Sequence, residues 1–229
     1  MKILFVTLGR TGSTNLCRGL SKTLSLDFLD EPFNKNNSKL FDYYYSKIKN
    51  SESIIVKHII TQTTKDLKYT EFLKKLIKEF DYVISLGRKN IKEHYESLCN
   101  LRYRNETNKN VHEQYQFESI PEQFKTYYNS ILTTEKLKEY QDKIEIISDK
   151  NKLTKLYYED VYSHDIEKNY KNIKSILPFV NENLKKYLDR KDNELNLNAS
   201  INDPVPGDIL DSFRAGNKLP NKTTLSGDV

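Results

Sequence analysis

Eight consecutive residues near the amino terminus, Thr7-Leu8-Gly9-Arg10-Thr11-Gly12-Ser13-Thr14, combine hydrogen-bond donors with the glycines needed to present them. Gly9 and Gly12 let the backbone turn tightly and approach a ligand closely. If a helix starts at Ser13 or Thr14, its free N–H groups and its dipole favour an anion in the loop. Ser13 and Thr14 add hydroxyls, and Arg10 adds a planar, permanently charged fork. The chemistry implied is the grip of a phosphate-like group. The loop is not a Walker A motif, which needs Gly-x-x-x-x-Gly-Lys-Ser/Thr. Gly9 and Gly12 are too close together, and Ser13 stands where the lysine would be. A nucleoside-triphosphate enzyme built on this loop lacks its phosphate-binding lysine and its usual magnesium position. His58, His94, His112 and His164 show no ligand spacing, so no metal site is expected.

The loop requires a strand before it and a helix after it, and the sequence supplies both. Residues 2–8 are a short apolar run bounded by a turn, read as a buried strand. Leu16, Leu20 and Leu24 then recur at helical spacing over 14–25, with Ser13 or Thr14 as the expected N-cap. Further strands are expected at 53–60, 82–86 and 144–147, with a short fifth at 153–158. Helices are expected at 39–49, 66–80, 90–103, 121–141, 165–177 and 181–190. Residues 30–34 read as a Pro-punctuated loop, and the polar stretch 104–119 as a loop or lid able to line an acceptor site. The alternation predicts an α/β fold: a three-layer α/β/α sandwich around a central, mainly parallel sheet. Ligands in such sheets bind at the carboxyl ends of the strands, where loops 9–13 and 87–89 both fall.

A chain of 229 residues fits one domain, expected over 1–190, followed by an extended or partly disordered segment over 191–229 where Pro, Gly, Asn and Asp accumulate. Apolar residues are only 37%, so the 16 Tyr and 10 Phe must carry much of the burial. The net charge of +5 suits an anionic ligand, but interspersed charges of both signs argue against a nucleic-acid-binding arm or a polybasic membrane anchor. Cys17 and Cys99 lie far apart and do not indicate a disulfide scaffold. No apolar run approaches the ~20 residues of a membrane span. A soluble cytoplasmic protein is expected.

The run Arg10-Thr11-Gly12-Ser13-Thr14-Asn15-Leu16-Cys17 resembles the first motif of sulfotransferases that use 3′-phosphoadenosine-5′-phosphosulfate (PAPS), and is most similar in flavour to the bacterial carbohydrate and glycolipid enzymes. The resemblance implies a P-loop-like sulfotransferase fold in which loop residues 10–14 hold the 5′-phosphosulfate and Arg10 stabilises the leaving group. It also implies a second anion site. Val83-Ile84-Ser85-Leu86-Gly87-Arg88-Lys89-Asn90-Ile91, followed by Tyr95, Ser97 and Leu98, resembles the segment that holds the 3′-phosphate. Ser97 is the implied helix serine, and either Arg88 or Lys89 the basic partner.

Sulfuryl transfer needs a base at the acceptor hydroxyl and positive charge at the departing phosphate. Leu29-Asp30-Glu31-Pro32-Phe33-Asn34 resembles the segment that carries the proposed base of the bacterial enzymes, which implies Glu31. His58 is the alternative, from the likeness of Lys57-His58 to a Lys-x-His element. The two residues are adjacent, so strand alternation points them to opposite faces. Lys155–Val161 resembles a late supporting segment, and Arg214–Lys218 is a candidate adenine loop. The expected activity is transfer of a sulfuryl group from PAPS, without a metal, to a hydroxyl on a carbohydrate, lipid or small alcohol. The alternatives are a P-loop kinase-like enzyme and an inactive nucleotide-binding protein.

Overall fold

The computed structural model of the chain describes residues 1–34, 39–62, 69–107 and 117–188. These lie within the compact unit Met1–Leu195; a second unit, Asn196–Val229, lies outside the described residues, as do the Arg214–Lys218 loop and most of segment 104–119.

Five strands form the sheet: β1 (Lys2–Thr7), β2 (Asp27–Asp30), β3 (Ile54–Ile59), β4 (Tyr82–Gly87) and β5 (Thr154–Tyr157). The helices are α1 (Ser13–Leu24), α2 (Phe41–Asn50), α3 (Tyr69–Ile77), α4 (Ile91–Thr107), α5 (Glu122–Ile131), α6 (Thr134–Asn151), α7 (Tyr158–Val161) and α8 (Ile166–Ile176). All four strand pairings are parallel, in the order β2-β3-β1-β4-β5. The central strands β1, β3 and β4 are the near-continuous apolar runs, as strands buried on both faces require. Alternate residues supply two cores. Ile3, Phe5, Ile55 and Ile84 face Leu16 and Leu20 of α1 and Ile173 of α8. Leu4, Val6, Ile54 and Val56 face Ile48 of α2 and Leu73 and Leu76 of α3. The result is a three-layer α/β/α domain. No helix among the described residues is long and apolar enough to cross a membrane, and Cys17 and Cys99 are both buried and unpaired with each other.

Several expected elements differ: α4 runs on to Thr107, into the segment expected as a loop from 104, and the helix expected at 181–190 is a 3₁₀ helix over Glu182–Tyr187. The strand expected at 144–147 is helical, inside α6: Ile144 and Ile147 share a helix face toward the cores, while Ile146 is 51% exposed. The long helix expected over 121–141 breaks at Leu132–Thr133 into α5 and α6, with the Thr133 hydroxyl capping α6. Asp30, expected in a loop, ends the edge strand β2, which is only four residues long and polar at both ends.

The connection from β1 leads to α1 on one face, and that from β4 leads to α4 on the other. β1 and β4 are neighbours whose chains leave in opposite directions, which opens a crevice at their carboxyl ends. Leu8–Gly12 and Arg88–Asn90 both lie there.

Candidate functional site

Gly12, rather than Ser13 or Thr14, occupies the N-cap of α1, in a left-handed conformation with φ 74°. It offers no side chain to close the helix end, so the first-turn N–H groups stay open to a ligand. The turn is tightly enclosed. The Tyr162 hydroxyl donates to the Gly12 carbonyl at 2.9 Å, and a Cβ on Gly12 would run into the Tyr162 ring. Thr11 is fully buried. Its hydroxyl bonds to that of Thr7 at 2.5 Å and to the Leu8 carbonyl at 3.1 Å, so it shapes the loop from within. The His94 ring nitrogen Nε2 lies 2.7 Å from the Gly9 carbonyl. Burial drives the pKa of His94 down to about 4, so the ring is neutral and Nε2 donates to Gly9.

Among the described residues, four non-glycine residues have positive φ. Ser25 and Lys152 do so because they end α1 and α6 as left-handed caps. The other two are Arg10 (φ 63°) and Glu31 (φ 54°), the residues that sequence reasoning placed at the chemistry. Such conformations cost on the order of 1–3 kcal/mol and persist where the surroundings impose them.

Arg10 reaches from the β1 loop to α4, where its Nε donates to Ser97 Oγ at 3.1 Å. The two anion-binding elements expected from sequence therefore meet. The Arg10 side chain touches solvent, yet desolvation by the surrounding loop, then the charges of Arg104 and Arg88, hold its pKa below the usual guanidinium value. Arginine does not lose its proton in this setting; the shift records desolvation first and the like charges of Arg104 and Arg88 after it, and an anion would offset both.

Arg88 and Lys89 separate. Arg88 is 6% exposed, bonds through Nη2 to Glu93 at 3.1 Å and lies 4.3 Å from the centre of the Tyr158 ring. Lys89 is largely exposed and pairs with Asp160 at 2.8 Å. Glu159 accepts from the backbone N–H groups of Lys89 and Asn90, at 2.9 and 3.0 Å. Glu159 thus serves the start of α4, while Asp165 caps α8. Although burial raises the Glu159 pKa, those two N–H groups and Arg88 bring it below the ordinary carboxylate value.

The residue that sequence reasoning passed over is Lys57, on β3. Its Nζ donates to Thr14 Oγ1 at 2.6 Å and pairs with Asp30 and Glu31, each at 2.6 Å. Three ammonium protons meet three oxygens. Burial pulls the Lys57 pKa down, but Asp30 and Glu31 outweigh it and hold the pKa above its ordinary value. Because Thr14 accepts from Lys57, its own proton is free to bond onward. A charged residue inside the apolar run Ile54–Ile60 was the available signal. Glu31 is further held by its backbone N–H, bonded to the Lys57 carbonyl at 3.0 Å.

His58 points to the opposite face, as alternation requires. It is 1% exposed, edge-on to Phe33 and Phe72, and burial lowers its pKa to about 4.

No family profile and no curated protein matches the chain. The chain is similar at low identity to several solved structures, of which two are described. One is the YorR protein of Bacillus subtilis in complex with phosphorylated GDP, at 13% identity and a TM-score of 0.44, covering 78% of this chain and 96% of that one. The other is shikimate kinase from Bacteroides thetaiotaomicron, at 12% identity and a TM-score of 0.41, covering 78% of this chain and 99% of that one. Likenesses this distant carry no functional information.

Proposed function

We propose that the protein is a sulfotransferase that moves a sulfuryl group from PAPS to an acceptor hydroxyl. The observation that carries this reading is the hydrogen bond from Arg10 to Ser97, which joins the loop suited to a 5′-phosphosulfate to the helix suited to a 3′-phosphate. The open N–H groups of α1, the Ser13 and Thr14 hydroxyls and Arg10 hold the phosphosulfate. Ser97, with Arg88 or Lys89, holds the 3′-phosphate. Both basic residues already pair with carboxylates, and exchanging the exposed Lys89–Asp160 pair for a phosphate costs about 1 kcal/mol or less.

In the reaction the acceptor oxygen forms a bond to sulfur as the bond from sulfur to the bridging phosphate oxygen breaks. Glu31 takes the hydroxyl proton, and 3′,5′-adenosine bisphosphate leaves with its new negative charge facing Arg10. His58, enclosed by aromatic rings on the other face of β3, packs the core in this reading.

Lys57 favours sulfuryl over phosphoryl transfer. In P-loop kinases a magnesium ion sits against the loop Ser or Thr hydroxyl and a nearby carboxylate. Here Lys57 bridges Thr14 to Asp30 and Glu31 and puts a fixed positive charge in that place. The same grouping supports the second reading, a nucleoside-triphosphate kinase, on the condition that Lys57 withdraws and metal takes its position.

Calorimetric titration separates the two. Binding of 3′,5′-adenosine bisphosphate without metal, weakened by Arg10→Ala and Ser97→Ala, is the expected result. No binding of the bisphosphate, with clear binding of ATP plus magnesium, would overturn the sulfotransferase reading.

A further inference from the structure

A cavity of about 450 Å³ opens beside the phosphate loop, between α4, the α5–α6 junction and the end of β1. Its α4 wall is Leu98, Leu101, Arg102 and Asn105, one helix face at the spacing i, i+3, i+4, i+7. Opposite stand Ile131, Leu132 and Leu137. Leu101 is 37% exposed and Ile131 46% exposed, so two large aliphatic side chains present apolar surface to solvent at one concave spot. Convergence of that kind marks a binding site, whereas scattered exposed apolar residues do not.

The inner end of the cavity is formed by Leu8 and Gly9, and Gly9 precedes Arg10. Leu98 follows Ser97, the residue that receives Arg10. The cavity therefore borders both the loop and the helix that would hold the donor. We infer that it is the acceptor subsite, and that it takes a hydroxyl compound with a compact apolar body, an aryl or alkyl alcohol, in preference to a hydrated sugar. This inference rests on the sulfuryl-transfer reading for the chemistry but not for the binding. The apolar body fills the space between α4 and the α5–α6 junction, and the hydroxyl points toward Gly9 and Arg10. A sugar would give up several water contacts in a cavity whose surface is mostly apolar and returns them only through the scattered polar groups of Thr61, Arg102, Asn105, Tyr128, Lys136 and Tyr140.

The test is calorimetric titration of 2-naphthol, glucose and 3′,5′-adenosine bisphosphate into the full chain and into Leu101→Asp, Ile131→Asp and Ile146→Asp. The first two substitutions lie at the cavity mouth on exposed positions, and Ile146, also exposed, does not line it. Saturable naphthol binding is expected, weakened about tenfold in the two mouth variants. It should be unchanged in Ile146→Asp, with bisphosphate affinity unchanged in all three. Absence of saturable naphthol binding to the bisphosphate-loaded wild type, equal affinity in all variants, or tighter binding of glucose would overturn the proposal. Retained naphthol binding without any bisphosphate binding would support the cavity and sink the donor assignment instead.

Discussion

Two cations, Lys57 within β3 and Arg10 in the loop after the neighbouring β1, live in opposite circumstances. Lys57 is buried, and each of its protons has an oxygen, two of them carboxylate. Arg10 touches solvent and is crowded by Arg104 and Arg88, and the hydrogen bond it makes to Ser97 is to a neutral hydroxyl. A cation whose charge is balanced internally organises structure; one held near like charges is poised for an anion from outside. Lys57 thus holds Thr14 and Glu31 in place, and the proposed reading gives Arg10 to the ligand.

The largest effect should separate the two at once. Arg10→Ala is expected to lower turnover about 100- to 1000-fold, the usual loss for a donor aimed at developing charge, with a melting temperature close to wild type. A steady-state assay with radiolabelled PAPS beside a thermal melt reads both. Turnover within a few-fold of wild type would remove Arg10 from the chemistry.

Gly12→Ala comes next. It should destabilise by roughly 3 kcal/mol, through the positive φ and the collision with Tyr162. Chemical denaturation measures it, and restoration by Tyr162→Ala of only part of the loss would divide backbone strain from crowding. Lys57→Met should cost about 2 kcal/mol, less than a fully buried pair because Asp30 and Glu31 keep 30% and 23% of their side-chain exposure. If Lys57→Met instead kept full stability and merely gained magnesium-dependent ATP binding, the kinase reading would be the better one.

The last effect is spread across a window of pH. His58 and His94 have pKa values lowered by burial to about 4, against an ordinary 6.5. The unfolded chain therefore binds more protons than the folded one between these values. Stability from the neutral rings is complete above pH 6.5 and lost as pH falls toward 4, with a slope of about 1.4 kcal/mol per pH unit for each ring. Denaturation curves across that window should lose half the slope in His58→Leu. An unchanged slope would mean that His58 is not buried as a neutral group.

Much of this arrangement was legible in the residues. The three central strands announced themselves as apolar runs, and the glycine loop by its donors. Ile144–Ile147 misled because Ile-Glu-Ile-Ile satisfies both alternation and the i, i+3 spacing of a helix; the tie was broken by α6 as a whole, which continues through Asn151. β2 was too short and too polar at its ends to register, since its place is fixed by pairing with β3 and not by its own hydropathy. Near the loop, Arg10, Ser97 and Glu31 were singled out by pattern, and the structure brings Arg10 to Ser97, but the meeting of Lys57 with Thr14, Asp30 and Glu31 needed coordinates. Its partners lie on β2, on the turn after it and on α1, and no local spacing encodes a meeting across three elements.

The clamp on Gly12 has a consequence for how the chain comes to be made. The loop leaves the ribosome well ahead of its partners: Ser97 follows Arg10 by 87 positions and Tyr162 follows Gly12 by 150. Contacts so distant in sequence form late, after the loops between them have closed. A nascent chain therefore carries this loop unbuilt until those partners have emerged. Competence to bind the donor should appear abruptly, once Tyr162 has cleared the exit tunnel, and not in proportion to length.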